Sequence, residues 1–176
     1  MKRQIVTDRL IIRKFCLSDR SDLYEYLSDN RVVYFEPYEP ITREQSQEII
    51  QVYSKSDSFF AVCLQETGKV IGNLYFELDN QLNGAIGFVF HHDYQQHGYA
   101  YEAVRALIKD RFNTTQVHRI YAQCNPDNLS SWRLLEKLGF TREGHLRSNI
   151  YFKVDQQKTP IWQDTYIYGL LEGELL

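Results

Sequence analysis

The sequence predicts an α+β domain, a central sheet with helices on both faces and one strand–helix–strand unit that runs locally parallel. Three observations lead there. A strand pattern and two helical patterns come first, a meander of three strands follows, and helices then alternate with strands toward the end of the chain. No repeat, low-complexity tract or Pro/Gly/Ser linker interrupts the pattern. With 176 residues and 43% hydrophobic side chains, the chain suits one well-buried core, so a single domain over 1–176 is expected.

Thr7 to Phe15 sets Leu10 and Ile12 against Arg9, Ile11 and Arg13, the alternation of a half-buried strand. Ser18 reads as an N-cap for a helix in which Leu23, Tyr24 and Leu27 recur at helical spacing. Thr42 and Gln45 have capping-box spacing before Ile49, Ile50 and Tyr53. Ser58 to Leu64 and Lys69 to Leu78 read as strands joined by a turn at Gly68, and Gly84 to Phe90 as a third. Ala103, Val104, Leu107, Ile108 and Phe112 mark a helix, after which Ile120, Ala122 and Cys124 alternate. A further helix spans about Ser130 to Leu138 and closes at Gly139, in the position that favours a left-handed residue. Thr141 to Phe152 and Ile161 to Leu170 complete the strands, the latter with Trp162, Asp164, Tyr166 and Tyr168 on one face.

A net charge of −3 without a basic run argues against nucleic acid and anionic membrane as partners. The N-terminal segment lacks a signal-like apolar core, and stretches such as "IGFVF" are too short to cross a bilayer, so a cytoplasmic protein is expected. Cys16, Cys63 and Cys124 form no C-x-x-C pair, and His91, His92 and Asp93 would diverge along an extended strand. Neither zinc, another metal nor a disulfide frame is expected.

Two segments carry chemistry. In "YQQHGYAYEAV", Tyr94 to Val104, a helix begins without Ser, Thr, Asp or Asn as cap. Outward N–H groups at the positive end of a helix dipole bind anions, Gly98 permits close backbone approach and Ala100 leaves space. By local physics alone, an ordinary water-capped helix start remains the simpler reading. The dinucleotide and P-loop glycine patterns are both incomplete. In "NPDNLSSWRLLEKLGF", Asn128 is a plausible N-cap with Ser131 three residues on. Both helix starts then open at the same end of adjacent parallel strands.

Together these segments resemble the GCN5-related N-acetyltransferases, specifically the branch of ribosomal-protein alanine N-acetyltransferases. The likeness extends from "TDRLIIRKF" to "WQDTYIYGLLEGE". It implies a mixed, mostly antiparallel sheet with a splayed parallel strand pair, and acetyl-CoA as co-substrate for an amine acceptor, a small molecule or a protein N-terminus, with homodimerisation left open. It also assigns residues. Gln95, Gln96, His97, Gly98, Tyr99, Ala100 and Tyr101 would hold the pyrophosphate. Phe88, Val89 and Phe90 would bond pantetheine through their backbone, with an N–H near Val89 polarising the thioester carbonyl. Asn128 would reach the pantetheine arm, and Ser131 the thioester sulfur.

The departures from the family pattern are specific. His97 stands where relatives often carry Arg or Lys, Leu135 where many have a tyrosine acid, and Ala85 where a glutamate base is frequent. An ammonium must lose a proton before its nitrogen attacks a thioester, so Glu36 and Glu39 in "YFEPYEP" are the catalytic candidates, with Glu77 on the neighbouring strand as a third. A catalytically silent acyl-CoA-binding regulatory module is the alternative that Ala85 and Leu135 leave open.

Overall fold

The computed structural model describes residues 4–176. Eight strands form one sheet: β1 (Ile5–Val6), β2 (Leu10–Lys14), β3 (Phe59–Leu64), β4 (Val70–Leu78), β5 (Asn83–Phe90), β6 (Arg119–Cys124), β7 (Thr141–Val154) and β8 (Pro160–Leu171), in the order β1-β2-β3-β4-β5-β6-β8-β7. Every neighbouring pair is antiparallel except β5 and β6. Their parallel pairing holds only from Asn83 to Ala85 against Arg119 to Tyr121. Beyond Ala85 the two strands run on without pairing, which is the expected splay.

Five helices cover the faces: α1 (Arg20–Leu27), α2 (Asn30–Val33) and α3 (Arg43–Lys55) on one, α4 (Tyr99–Thr114) and α5 (Leu129–Lys137) on the other. Under α4 and α5, fully buried Leu107, Ile108 and Leu135 pack on Leu10, Ile71, Leu74 and Ile120. Under α1 to α3, Leu23, Leu27 and Ile50 pack on Phe15, Val70 and Val89. Each such side chain contributes ~1.5–3 kcal/mol. The buried Tyr26 hydroxyl donates to Asn73 Oδ1 at 3.0 Å, which satisfies a polar pair within the second core.

Local signals held where the partners are close in sequence. Thr42 Oγ1 accepts from Gln45 N–H and Gln45 Oε1 accepts from Thr42 N–H, the reciprocal box its spacing predicts. Gly139 is left-handed, at φ 99°. Ser18 is different: it lies inside a short 3-10 turn, Leu17–Asp19, before α1. Asp19 organises that turn by accepting from Cys16 N–H at 2.9 Å while paired with Arg13 at 2.7 Å. The strand expected from Thr7 to Phe15 spans Leu10–Lys14, because the chain turns between Val6 and Leu10, and neither β1 nor the four-residue α2, capped by Asp29, was foreseen. His91 and His92 enter a 3-10 turn rather than an extended strand, and both His91 ring nitrogens are engaged, one with Glu25 at 3.1 Å and one with Asp93 N–H at 3.1 Å. No helix of the described residues is long and apolar enough to cross a membrane.

Candidate active site at the splayed strands

The loop from β5 to α4 is held by its own side chains. Gln95 Nε2 donates to the Phe90 carbonyl at 2.9 Å, and His97 Nδ1 lies 2.6 Å from the Gln95 carbonyl oxygen. Gln96 and Gly98 are both left-handed, at φ 62° and 83°. Gly98 is the N-cap of α4, and no side chain accepts from the first turn of that helix. The amides of Tyr99, Ala100 and Tyr101 therefore open a 16-residue helix without a side-chain acceptor among the described residues. A phosphate fits this end of the fold on chemical grounds.

Positive charge comes from an unforeseen residue. Arg9, at the turn before β2, donates to the His97 carbonyl at 3.1 Å, lies 4.4 Å over the Tyr99 ring and comes within 3.4 Å of where a Cβ on Gly98 would stand. It is held there by Glu102 of α4, which accepts from its Nε at 2.7 Å and from Thr7 Oγ1 at 2.6 Å. Burial acts to raise the Glu102 carboxyl, but the bonds from Thr7 and Arg9 outweigh it and keep it below the usual carboxylate range. Arg9 thus places a guanidinium, paired with Glu102, beside a loop that carries His97 rather than a basic residue. The available signal was an arginine at an outward strand position before Leu10; nothing local pairs it with Glu102.

The edge of β5 is turned toward the splay at alternate residues. His91 N–H donates to Ile71 of β4, and Asn83 C=O accepts from Asp79 on the same side. Antiparallel alternation then directs Val89 into the β4 ladder, while Phe88 and Phe90 present their backbone groups to the splay. The N–H expected near Val89 therefore belongs to Phe88 or Phe90. Across the splay, Asn128 Oδ1 caps α5 by accepting from Ser131 N–H at 3.2 Å. Burial lifts the Cys124 thiol to about 11, and a hydrogen bond with the Ser131 side chain moderates the rise. Because β5 and β6 are parallel, Gln95–Tyr101 and Asn128–Ser131 share one end of the sheet.

The opposite face separates the carboxylates that the sequence could not rank. Glu39 is exposed and paired with Lys153 at 3.5 Å. Glu36 is half-buried, its carboxyl has no hydrogen-bond or ion-pair partner among the described residues, and burial pushes that carboxyl up to about 7. Glu77 pairs across the ladder with Ala85, and Tyr75 Oη donates to Glu77 Oε2. Leu135, at the position expected for a tyrosine acid, is wholly buried. Tyr38, Tyr53, Phe59 and Tyr75 surround this face.

A splayed parallel pair beside an uncapped, glycine-started helix defines a fold class that binds an acyl-CoA along its sheet. The chain matches the family model of the acetyltransferase (GNAT) domain over residues 9–141, and it belongs to that family. It is an N-acetyltransferase of the branch that includes ribosomal-protein acetyltransferases, a family that uses acetyl-CoA. An uncharacterized N-acetyltransferase of Bacillus subtilis (strain 168), YnaD, is 35% identical, with 97% of this chain and 98% of that protein covered. The [ribosomal protein uS5]-alanine N-acetyltransferase of Escherichia coli (strain K12) is 28% identical over 96% and 91% of the two chains. The crystal structure of a GNAT-family acetyltransferase from Bacillus anthracis superposes with a TM-score of 0.89 at 33% identity, covering 98% of this chain and 100% of that one.

Proposed function

We propose that this protein transfers an acetyl group from acetyl-CoA to a primary amine, of a small molecule or a protein N-terminus, by direct attack in a ternary complex. Glu36 carries the proposal: it is a half-buried carboxyl without a partner, with a pKa of about 7, on the face opposite the cofactor loop. A base poised near neutrality suits removal of a proton from an ammonium that must become nucleophilic. It supplies the function that Ala85 cannot.

The amides of Tyr99 to Tyr101, with Arg9 beside Gly98, would hold the pyrophosphate, and the backbone of Phe88 and Phe90 would hold the pantetheine arm. Bound acetyl-CoA supplies the acetyl group as an activated thioester. Glu36 accepts the ammonium proton, the nitrogen forms a bond to the carbonyl carbon, and an outward β5 N–H stabilises the charge on the carbonyl oxygen. The carbon–sulfur bond breaks, the second proton of the attacking nitrogen passes to the leaving thiolate to give the neutral amide and free CoA thiol, and the Ser131 hydroxyl hydrogen-bonds the sulfur. Assay of thiol release from acetyl-CoA with a panel of amines tests this directly. The expected result is turnover whose kcat/KM rises with pH through about 7, with that limb lost in Glu36→Gln. Binding of CoA without turnover on any amine would overturn the reading in favour of a silent acyl-CoA module.

A further inference from the structure

His97 immediately precedes the glycine that starts α4, and it is exposed. Its Nδ1 lies 2.6 Å from the Gln95 carbonyl oxygen. A carbonyl oxygen only accepts, so Nδ1 carries the hydrogen of that bond in both charge states of the ring. The bond fixes the tautomer and leaves Nε2 as the nitrogen that exchanges a proton with water. The ring also faces that of Tyr99, the first residue of α4, with centroids 6.2 Å apart and planes 28° from parallel. An imidazole tethered to Gln95 and lying against Tyr99, next to helix-starting amides without a side-chain acceptor, is placed to add or withhold one positive charge where an anion would bind.

The charged and titratable groups around it come from two elements, Arg9 from the turn before β2, and Tyr99 and Glu102 from α4. Arg9 donates to the His97 carbonyl at 3.1 Å and lies 4.4 Å over the same Tyr99 ring. Its charge is matched by Glu102 at 2.7 Å, so the pair brings little net charge to the loop. No carboxylate bonds the imidazole among the described residues. A phosphate at the helix start would then be the anion that stabilises the imidazolium, and by reciprocity the imidazolium would strengthen phosphate binding by the same factor.

We infer that His97 makes the hold on the CoA pyrophosphate proton-dependent, with the imidazolium binding it through Nε2 and the neutral ring holding it less tightly. This rests on the phosphate-site reading above and names a regulation of that same site. Binding takes up a proton at Nε2 from solvent, and no covalent bond changes. Affinity is therefore highest below the imidazole titration range and is lost as pH rises through it. That direction is opposite to the gain with pH that a catalytic base shows.

Isothermal titration with dephospho-CoA at pH 6 and pH 8 tests the inference. This probe keeps the pyrophosphate but lacks the 3′-phosphate, a monoester that itself titrates at about 6. The parent should bind at least about threefold more tightly at pH 6 than at pH 8, part of the roughly tenfold that one unit of pKa shift can supply. At pH 7, heats measured in two buffers of different ionisation enthalpy should show net proton uptake. His97→Gln should bind with the parent's pH 8 affinity at both pH values and take up no proton. His97→Arg should match or exceed the parent's pH 6 affinity at both. A parent affinity independent of pH, or a slope and proton uptake that persist in His97→Gln, would each overturn the inference while leaving the phosphate site intact. Absence of binding by both dephospho-CoA and CoA would remove the phosphate-site reading and the inference with it.

Discussion

The two sides of the splay are built from different materials. On the cofactor side, backbone dominates: Gln96 and Gly98 in left-handed conformations, three helix-starting amides, and a strand edge that alternates outward. On the proposed acceptor side, side chains dominate, contributed by the segment after α2, by α3, β3 and β4. A backbone site depends on φ and ψ, which a short contiguous motif can specify. A side-chain site depends on which elements meet, so its members scatter along the chain. The first should therefore respond through acetyl-CoA KM and the second through kcat and acceptor choice.

The sharpest test replaces Gly98 with valine. A β-branched residue at φ 83° is strained by ~1–3 kcal/mol, and its Cβ would stand 3.4 Å from Arg9 Nη2. A loop moved by about 1 Å costs on the order of 100-fold, so the thermal shift with CoA should vanish and acetyl-CoA KM should rise by at least that factor. An unchanged KM would refute a backbone-built phosphate site.

Glu36→Gln is expected to lower kcat by about 100-fold with little change in acetyl-CoA KM. It also has a stability signature. Folding raises the Glu36 pKa from 4.5 to about 7, so its contribution is fully present below about 4.5 and is lost as pH rises through 7. The glutamine variant escapes that loss. It should be more stable than the parent at pH 8 by roughly 1–3 kcal/mol and equal to it near pH 4, as read by denaturant melts. An acetyl-CoA KM defect in this variant would break the division between the two sides.

Smaller effects should follow for residues that support rather than form each site. Arg9→Gln should raise acetyl-CoA KM about tenfold. Arg9→Lys should recover only part, since an ammonium cannot span Glu102 and the His97 carbonyl as the guanidinium does. Ser131→Ala should reduce kcat about two- to tenfold, the worth of one hydrogen bond. The same variant should raise the Cys124 thiol further, which thiol alkylation against pH would detect.

The fold was legible wherever neighbours in sequence decide it. The Thr42–Gln45 box, the Asn128 cap and left-handed Gly139 are set by partners within three residues or by a single φ. Ser18 failed as a cap because Asp19, engaged by Arg13, organises that turn instead. The α2 helix is too short for any periodicity to reveal it. Within the proposed site, the glycine-started helix after Gln95 and the Asn128–Ser131 cap were readable as local structure because each is contiguous. Arg9 was not, since its partner Glu102 lies 93 residues away.

By itself, then, the sequence determined the elements, the glycine-started helix that marks the cofactor side and the family to which the chain belongs. Those features rest on periodicity, local hydrogen bonds and φ preference, all written within a few residues. Only the tertiary structure decided that Arg9 stands beside Gly98, that Phe88 and Phe90 rather than Val89 face the splay, and that Glu36 rather than Glu39 is sheltered from water. Burial, strand register and charge pairing arise between distant segments, so no local pattern could rank those residues before the sheet had brought them together.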